Sequence, residues 1–312
     1  MFIVIAGATA TGKSAVAVEL CKIMDAEIVS ADSMQVYRRM DIGTGKLSKA
    51  QMAGIRHHMI DIAEPYELFS AAAYKKMAES AMDDIKKRGK TPVIAGGTGL
   101  YIDAVLKGIM KAAEPDEGLK KALRAELAEK GLDFLCERLK ELDPSAAETT
   151  DLKNSRRVLR ALELIMANGV KMAELRSRTK ETAYKDEYKM FVLSLNREEL
   201  YKRIGKRVDD MISAGLVDEV KGLLGEGNAF AHTAAQAIGY KEIISHLEGK
   251  CSLAEAVEAI KQATRNYAKR QETWFKRDKD AVFLRVEGKS AGEIAGEIQL
   301  QISNYKFQIK EG

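Results

Sequence analysis

The chain has 312 residues, 46% hydrophobic and 31% charged, and a net charge of +4 with a pI near 8.7. This composition excludes a disordered or fibrous chain and leaves ample length for a buried core and about two domains. The mild basic excess permits a polyanionic partner without demanding one, and no apolar run approaches the ~20 residues of a membrane span.

Taken in chain order, the elements alternate. Phe2–Ala6 (FIVIA) is an apolar run that meets a Gly-rich turn, and Lys13–Met24 carries a helical pattern. The run directly after Met1 is this strand, so no signal peptide is expected. Ala26–Ala31 reads as a second strand, Ser70–Arg88 as a helix and Thr91–Ala95 as a third strand. From Lys111 to Tyr188 there are helical patterns and no convincing strand, with Pro115 and Pro144 as punctuation. Met190–Leu195 and Ala281–Val286 read as two later strands, and residues 288–312 carry no interpretable motif. Continuous apolar strands separated by helices predict an α/β fold with a parallel sheet covered on both faces. The expected division is a P-loop core, 1–111 with 189–312, interrupted by a helical insertion at 112–188. Cys21, Cys136 and Cys251 are odd in number and far apart. They suit a reducing cytoplasm and argue against a disulfide framework or zinc site.

Gly7–Ser14 reads GATATGKS and matches G-x-x-x-x-G-K-[ST] between a strand and a helix, the context that motif requires. Gly7 and Gly12 let the backbone approach an anion. The successive N–H groups of Ala8, Thr9, Ala10 and Thr11, with the helix N-terminus, then point at phosphates. Lys13 adds a positive charge, and the Ser14 hydroxyl suits Mg²⁺. The motif specifies a polyphosphate and not which one, so a nucleotide such as ATP is among the ligands it admits. Asp32 follows the second strand at the sheet edge where ligands sit in open α/β folds. Position alone leaves three roles open: a water-mediated Mg²⁺ ligand, a proton acceptor, or a turn-capping residue.

Other features have ordinary readings beside functional ones. His57 and His58 are adjacent, and in a strand their side chains diverge, which disfavours a metal. Gly96-Gly97-Thr98-Gly99 is either a second ligand loop or a tight turn with Thr98 as helix cap. Trp274 and Phe275 suit base stacking or core packing equally. Arg156, Arg157 and Arg160 lie on one helix. Lys261, Arg265, Lys269, Arg270, Lys276 and Arg277 crowd a stretch whose only acid is Glu272. These clusters suit a nucleic acid or are solvated helix faces.

The blocks SADSMQVYRRMDIGT (Ser30–Thr44), HHMIDI from His57, GGTGLY (Gly96–Tyr101), RALE (Arg160–Glu163), RIGKRVDDMISAGLVDEV from Arg203, AIGYKE from Ala237 and TRNYAKRQETWF (Thr264–Phe275) together resemble the tRNA dimethylallyltransferase family, of bacterial type. They follow in order over nearly the whole chain. The resemblance implies a P-loop NTPase-like core with a helical insertion, and a phosphate loop that grips dimethylallyl diphosphate rather than a nucleotide. The implied acceptor is N6 of the adenosine immediately 3′ of the tRNA anticodon. Asp32 is then the general base and Thr9 lies near the bridging oxygen. Lys13 and one arginine, Arg207 ahead of Arg203, hold the pyrophosphate with Mg²⁺ at Ser14. Implied tRNA contacts are Asp32, Ser33, Met34, Gln35, Thr98, the run Arg156, Arg157, Val158, Leu159 and Arg160, and the run Gln236, Ala237, Ile238, Gly239, Tyr240 and Lys241. A cytoplasmic monomer that meets no membrane is expected.

Two departures stand out. Ala8 occupies a position where most members carry Pro, and Asp151 stands where a His is usual. The chemistry asks for these residue types: the adenine amine is a weak nucleophile that must lose a proton, and the leaving pyrophosphate must be neutralised. A P-loop kinase is the first rival reading, separated by consumption of ATP. A non-catalytic RNA-binding module is the second, but it leaves unexplained a phosphate loop facing a strand-end carboxylate.

Overall fold

The computed structural model describes residues 1–178, 184, 188–225 and 230–311, with no description of the side chains of 232 and 305–311. Six strands form one parallel sheet: β1 (Phe2–Gly7), β2 (Ala26–Ser30), β3 (His57–His58), β4 (Thr91–Gly96), β5 (Tyr188–Ser194) and β6 (Val282–Arg285), in the order β3-β2-β4-β1-β5-β6. β1 is central, pairing Ile3 with Val93 of β4 on one side and Val4 with Met190 of β5 on the other. Five strands lie where the apolar runs predicted them. The short edge strand β3 was not among the expected elements, because two histidines carry no apolar strand signal.

The helices of the sheet unit are α1 (Lys13–Ile23), α2 (Lys49–Met52), α3 (Ala71–Lys87) and α4 (Gly99–Leu106). The intervening segment supplies α5 (Glu117–Leu142), α6 (Pro144–Thr149), α7 (Ser155–Asn168) and α8 (Met172–Ser177). The sheet unit then resumes with α9 (Arg197–Ser213), α10 (Leu216–Gly225), α11 (His232–Ala235), α12 (Tyr240–Leu247), α13 (Leu253–Phe275) and α14 (Ala291–Glu311). Two compact units result, 1–106 with 184–312, and 107–183. These edges fall five residues before the expected ones at 112 and 189. The segment just after α4 has no regular structure, so hydrophobic pattern did not mark the junction.

Strand alternation feeds two cores. Phe2, Val4 and Ala6 point into one, beneath Tyr74, Ala78, Met82 and Ile85 of α3 and Tyr101, Ile102 and Val105 of α4. Ile3 and Ile5 point into the other, with Val16, Ala17 and Leu20 of α1, Leu200 and Ile204 of α9, and Ile294, Ile298 and Ile302 of α14. Full burial of each such aliphatic side chain contributes roughly 1.5–3 kcal/mol relative to exposure. α14 occupies the stretch for which the sequence offered no reading. Ser290 and Glu293 begin it with a reciprocal pair of bonds, Glu293 N to Ser290 Oγ at 3.3 Å and Ser290 N to Glu293 Oε2 at 2.7 Å. That Ser-x-x-Glu spacing is a start signal the chain did carry.

The helical unit has its own core of Leu123, Leu135, Leu139, Val158, Leu162 and Ile165. α5 breaks at Gly131, whose φ of 82° and ψ of 176° lie outside helical values.

Candidate active site

β1 ends at Gly7, and the chain turns through Ala8–Gly12 into α1. Gly12 sits at φ 89°, a left-handed conformation that glycine adopts without the steric cost other residues meet. No side chain caps the N-terminus of α1, which leaves its first N–H groups and positive dipole end for an anion. Thr11 Oγ1 donates to the Ala8 carbonyl at 2.8 Å and Lys13 Nζ donates to the same oxygen at 2.6 Å. Thr9, Lys13 and Ser14 line a cavity of about 290 Å³ at the carboxyl ends of the strands. The Lys13 pKa is lowered to about 7, first by burial and then by the neighbouring Arg207 charge, with Asp32 opposing both.

Asp32 faces the same cavity from the end of β2. Its Oδ1 accepts from Met34 N at 2.9 Å and Gln35 N at 3.3 Å, so the turn-forming role is real. It does not use up the carboxylate, because Oδ2 carries no hydrogen bond among the described residues. Ser33, Met34 and Gln35 follow along the wall. Thr98 does not cap α4 with its side chain. Its Oγ1 accepts from Ser33 N at 3.0 Å and donates to Ser33 Oγ at 3.3 Å, tying the Gly96–Gly99 turn to the Asp32 turn.

Arg207 of α9 forms a third wall. Its Nη2 donates to the Thr44 carbonyl at 3.1 Å. A Cβ on Gly45 would run into the guanidinium, so this close approach requires glycine. Burial pushes the Arg207 pKa down and the Asp32 charge pushes it back up. Arg203, one turn earlier, turns away: its Nε donates to Glu199 Oε1 at 2.8 Å and it does not line the cavity. The loop under Arg207 is held by Glu219, whose carboxylate accepts from Asp41 N (3.0 Å), Ile42 N (2.7 Å) and Gly43 N (3.1 Å), and from Tyr240 Oη at 2.5 Å. Tyr240 is fully buried and is therefore part of this support rather than a surface contact.

Gln236, Ala237 and Ile238 line the cavity, while Lys241 is exposed. In the helical unit Arg156, Arg157 and Arg160 are exposed on α7. Arg160 pairs with Glu114 at 3.1 Å and Glu163 at 3.4 Å, and Arg157 approaches Asp151 at 3.8 Å. Val158 is wholly buried in that unit's core and Leu159 packs against it, so the Val158 side chain offers nothing to a ligand. Val158 fell within an exposed-contact run because the run was taken as a block, and a helix turns each residue to a different side.

Of the remaining cations, Arg270 reaches the cavity wall and Lys261 pairs with Asp209 at 2.8 Å. Trp274 donates through Nε1 to Asp103 Oδ2 at 3.0 Å, and Phe275 is buried, so both serve packing. His58 pairs with buried Glu27 at 2.8 Å, and Glu27 also pairs with Arg88. His57 bonds the Ile55 carbonyl at 2.8 Å. Among the described residues no cluster of His, Cys, Asp and Glu has the makings of a metal site. Sequence reasoning assigned no role to Glu219, Tyr267 or Gln271, although all three lie within blocks that carry the resemblance.

A phosphate loop, a strand-end carboxylate and a buried arginine converging on one partly apolar cavity define a P-loop-type group-transfer enzyme. A family model described as "IPP transferase" matches residues 35–278. The chain is 44% identical to tRNA dimethylallyltransferase of Thermotoga maritima, covering 97% of this chain and 98% of that protein. It is 45% identical to tRNA dimethylallyltransferase of Bacillus licheniformis, covering 90% of each. Among solved structures, the full-length tRNA isopentenylpyrophosphate transferase of Bacillus halodurans aligns with a TM-score of 0.72 at 36% identity, covering 100% of this chain and 99% of that one. A eukaryotic dimethylallyltransferase acting on tRNA aligns at 0.81 and 29% identity, covering 97% of this chain and 79% of that one. The chain belongs to the IPP transferase family, the tRNA dimethylallyltransferases.

Proposed function

We propose that this protein transfers a dimethylallyl group from dimethylallyl diphosphate to N6 of the adenosine immediately 3′ of the anticodon in tRNA. The observation that carries the reading is that Asp32 and the Lys13–Arg207 pair face one cavity. Carboxylate and cations on opposite ends of a reaction are what an amine alkylation with a diphosphate leaving group needs. The N6 lone pair forms a bond to C1 of the donor as the C1–O bond breaks. Asp32 takes the N6 proton, and pyrophosphate leaves against Lys13, Arg207 and the N–H groups of residues 10–14, with Thr9 beside the bridging oxygen. Val208, Met211, Ile238 and Ile260 give the cavity an apolar wall suited to the prenyl chain.

Ser14 lines the cavity, and its hydroxyl is the oxygen donor that would hold Mg²⁺ there beside the diphosphate. When bound, the ion supplies charge neutralisation. Among the described residues no helix is long and apolar enough to cross a membrane. For tRNA, the Ser33–Gln35 turn, Thr98, Gln236–Ile238 and Lys241 border the reacting base, and exposed Arg156, Arg157 and Arg160 suit backbone phosphates. The target base is extruded from its stack to reach the cavity.

Asp32→Asn tests the assignment. As the base, its loss lowers single-turnover transfer by roughly 10²–10⁴ while donor affinity and Mg²⁺ dependence stay near wild type. Recovery of the rate by excess Mg²⁺ would make Asp32 a metal ligand instead. Label moving from dimethylallyl diphosphate into unmodified tRNA, without ATP, separates this reading from a kinase.

A further inference from the structure

Gln271 lies on α13, the helix that spans the back of the cavity, and is only 5% exposed. Both ends of its amide are used. Oε1 accepts from the Thr9 backbone N–H at 2.8 Å, and Nε2 donates to the Gly97 carbonyl at 2.8 Å. A Cβ on Gly97 would run into that amide nitrogen, so the approach is as close as backbone allows. Thr98, the next residue, holds Ser33 N at 3.0 Å, and Ser33 follows Asp32. Tyr267, one helical turn before Gln271, lines the same cavity. One side chain therefore joins the phosphate loop to the turn that carries the carboxylate, two segments far apart in sequence.

We propose that Gln271 is a positioning residue that sets the spacing between the phosphate loop and Asp32, and so aligns C1 of the donor with the acceptor amine. The proposal rests on the function argued above. Its physical basis is that transfer needs the reacting atoms about 3–3.5 Å apart and aligned, and a ~1 Å misplacement costs up to about 10²-fold in rate. Gln271 lines the same cavity but meets the phosphate loop only at the Thr9 N–H. Lys13, Arg207 and the helix N-terminus hold the pyrophosphate, so losing Gln271 leaves donor binding largely in place.

Two variants test this. Gln271→Met keeps length and burial but removes both bonds. It is expected to lower the single-turnover rate at saturating substrates by about 10–100-fold, with the donor Kd within about threefold of wild type. Gln271→Glu adds a signature that a packing role would not produce. Its protonated carboxyl has one acceptor and one donor, as the amide does. Its ionised form turns a second oxygen toward the Gly97 carbonyl. Burial raises the pKa of such a carboxyl. The rate of Gln271→Glu relative to wild type is therefore highest at about pH 5.5 and falls on going to about pH 8, as the competent neutral form is lost. A wild-type rate in Gln271→Met, a rate loss matched by an equal loss of donor affinity, or a pH-independent ratio for Gln271→Glu overturns the proposal. If Gln271→Met does not fold, the pH ratio decides. Asp32→Asn assayed alongside keeps the two ideas apart: full transfer by that variant removes the base assignment whatever the Gln271 variants do.

Discussion

The two cationic walls of the cavity are built on opposite plans. The Lys13 wall is local: eight consecutive residues supply the glycines, the N–H groups, the cation and the hydroxyl. The Arg207 wall is assembled from four distant pieces. Thr44 and Gly45 shape it, Arg207 supplies the charge, and Glu219 with Tyr240 pins the loop from below. The local wall depends on backbone conformation and tolerates few changes of residue type. The assembled wall depends on buried side-chain contacts and is exposed to changes far from the cavity.

The largest effects should come from the cations themselves. Lys13→Ala and Arg207→Ala should each lower turnover by about 10²–10³, while Arg203→Ala stays within a few-fold. Steady-state and single-turnover transfer assays check this. Equal losses at 203 and 207 would break the distinction between the arginine that faces the cavity and the one that faces Glu199.

Next is pH. Burial leaves Lys13 with a pKa of about 7, and a bound polyanion raises it. Below about pH 7 the lysine is charged with or without donor. Above it, binding must take up a proton, so affinity declines by up to about tenfold per pH unit until the bound pKa is reached. Calorimetry at about pH 8 in buffers of different ionisation enthalpy should show proton uptake in wild type and a smaller uptake in Lys13→Met.

Glu219→Gln probes the far end of the assembled wall. Glu219 gathers three N–H groups and a phenol, and each hydrogen bond to a charged group is worth about 1.5–3 kcal/mol. The expected result is a donor KM raised a few-fold and a lower Tm, with kcat moved less. A changed kcat at constant KM would mean that the loop serves chemistry rather than binding.

The smallest effect concerns the helical unit. Replacing Arg156 and Arg160 with Ala should flatten the slope of log K for tRNA against log salt by about one to two. An unchanged slope removes α7 from the interface.

The same contrast explains what could be read from the chain. The phosphate loop and the strands around it are short-range patterns, so motif and hydrophobic period expose them directly. Asp32 was legible by its place after a strand, and its turn-forming role and its cavity-facing role prove to coexist. Arg203 and Arg207 lie one turn apart on α9, and only the position of Thr44 and Gly45 tells them apart. Glu219 acts on backbone N–H groups 176 to 178 residues earlier, which no local pattern encodes. Gln271 was visible within a family block, but its work is to bridge residues 9 and 97, a relation that exists only after folding.

The packing of α14 on α1 has a consequence for how the protein is made. The helix that carries Lys13 leaves the ribosome well before the segment that covers it. Its cover is Ile294, Ala295, Ile298 and Ile302, far along the chain. β1 likewise waits for residues 188–194 to complete its pairing. Contacts of such long sequence separation form slowly and leave apolar surface open in the interval. The nascent chain therefore carries its phosphate cradle unfinished until those distant residues emerge, the stage at which a chaperone would find it.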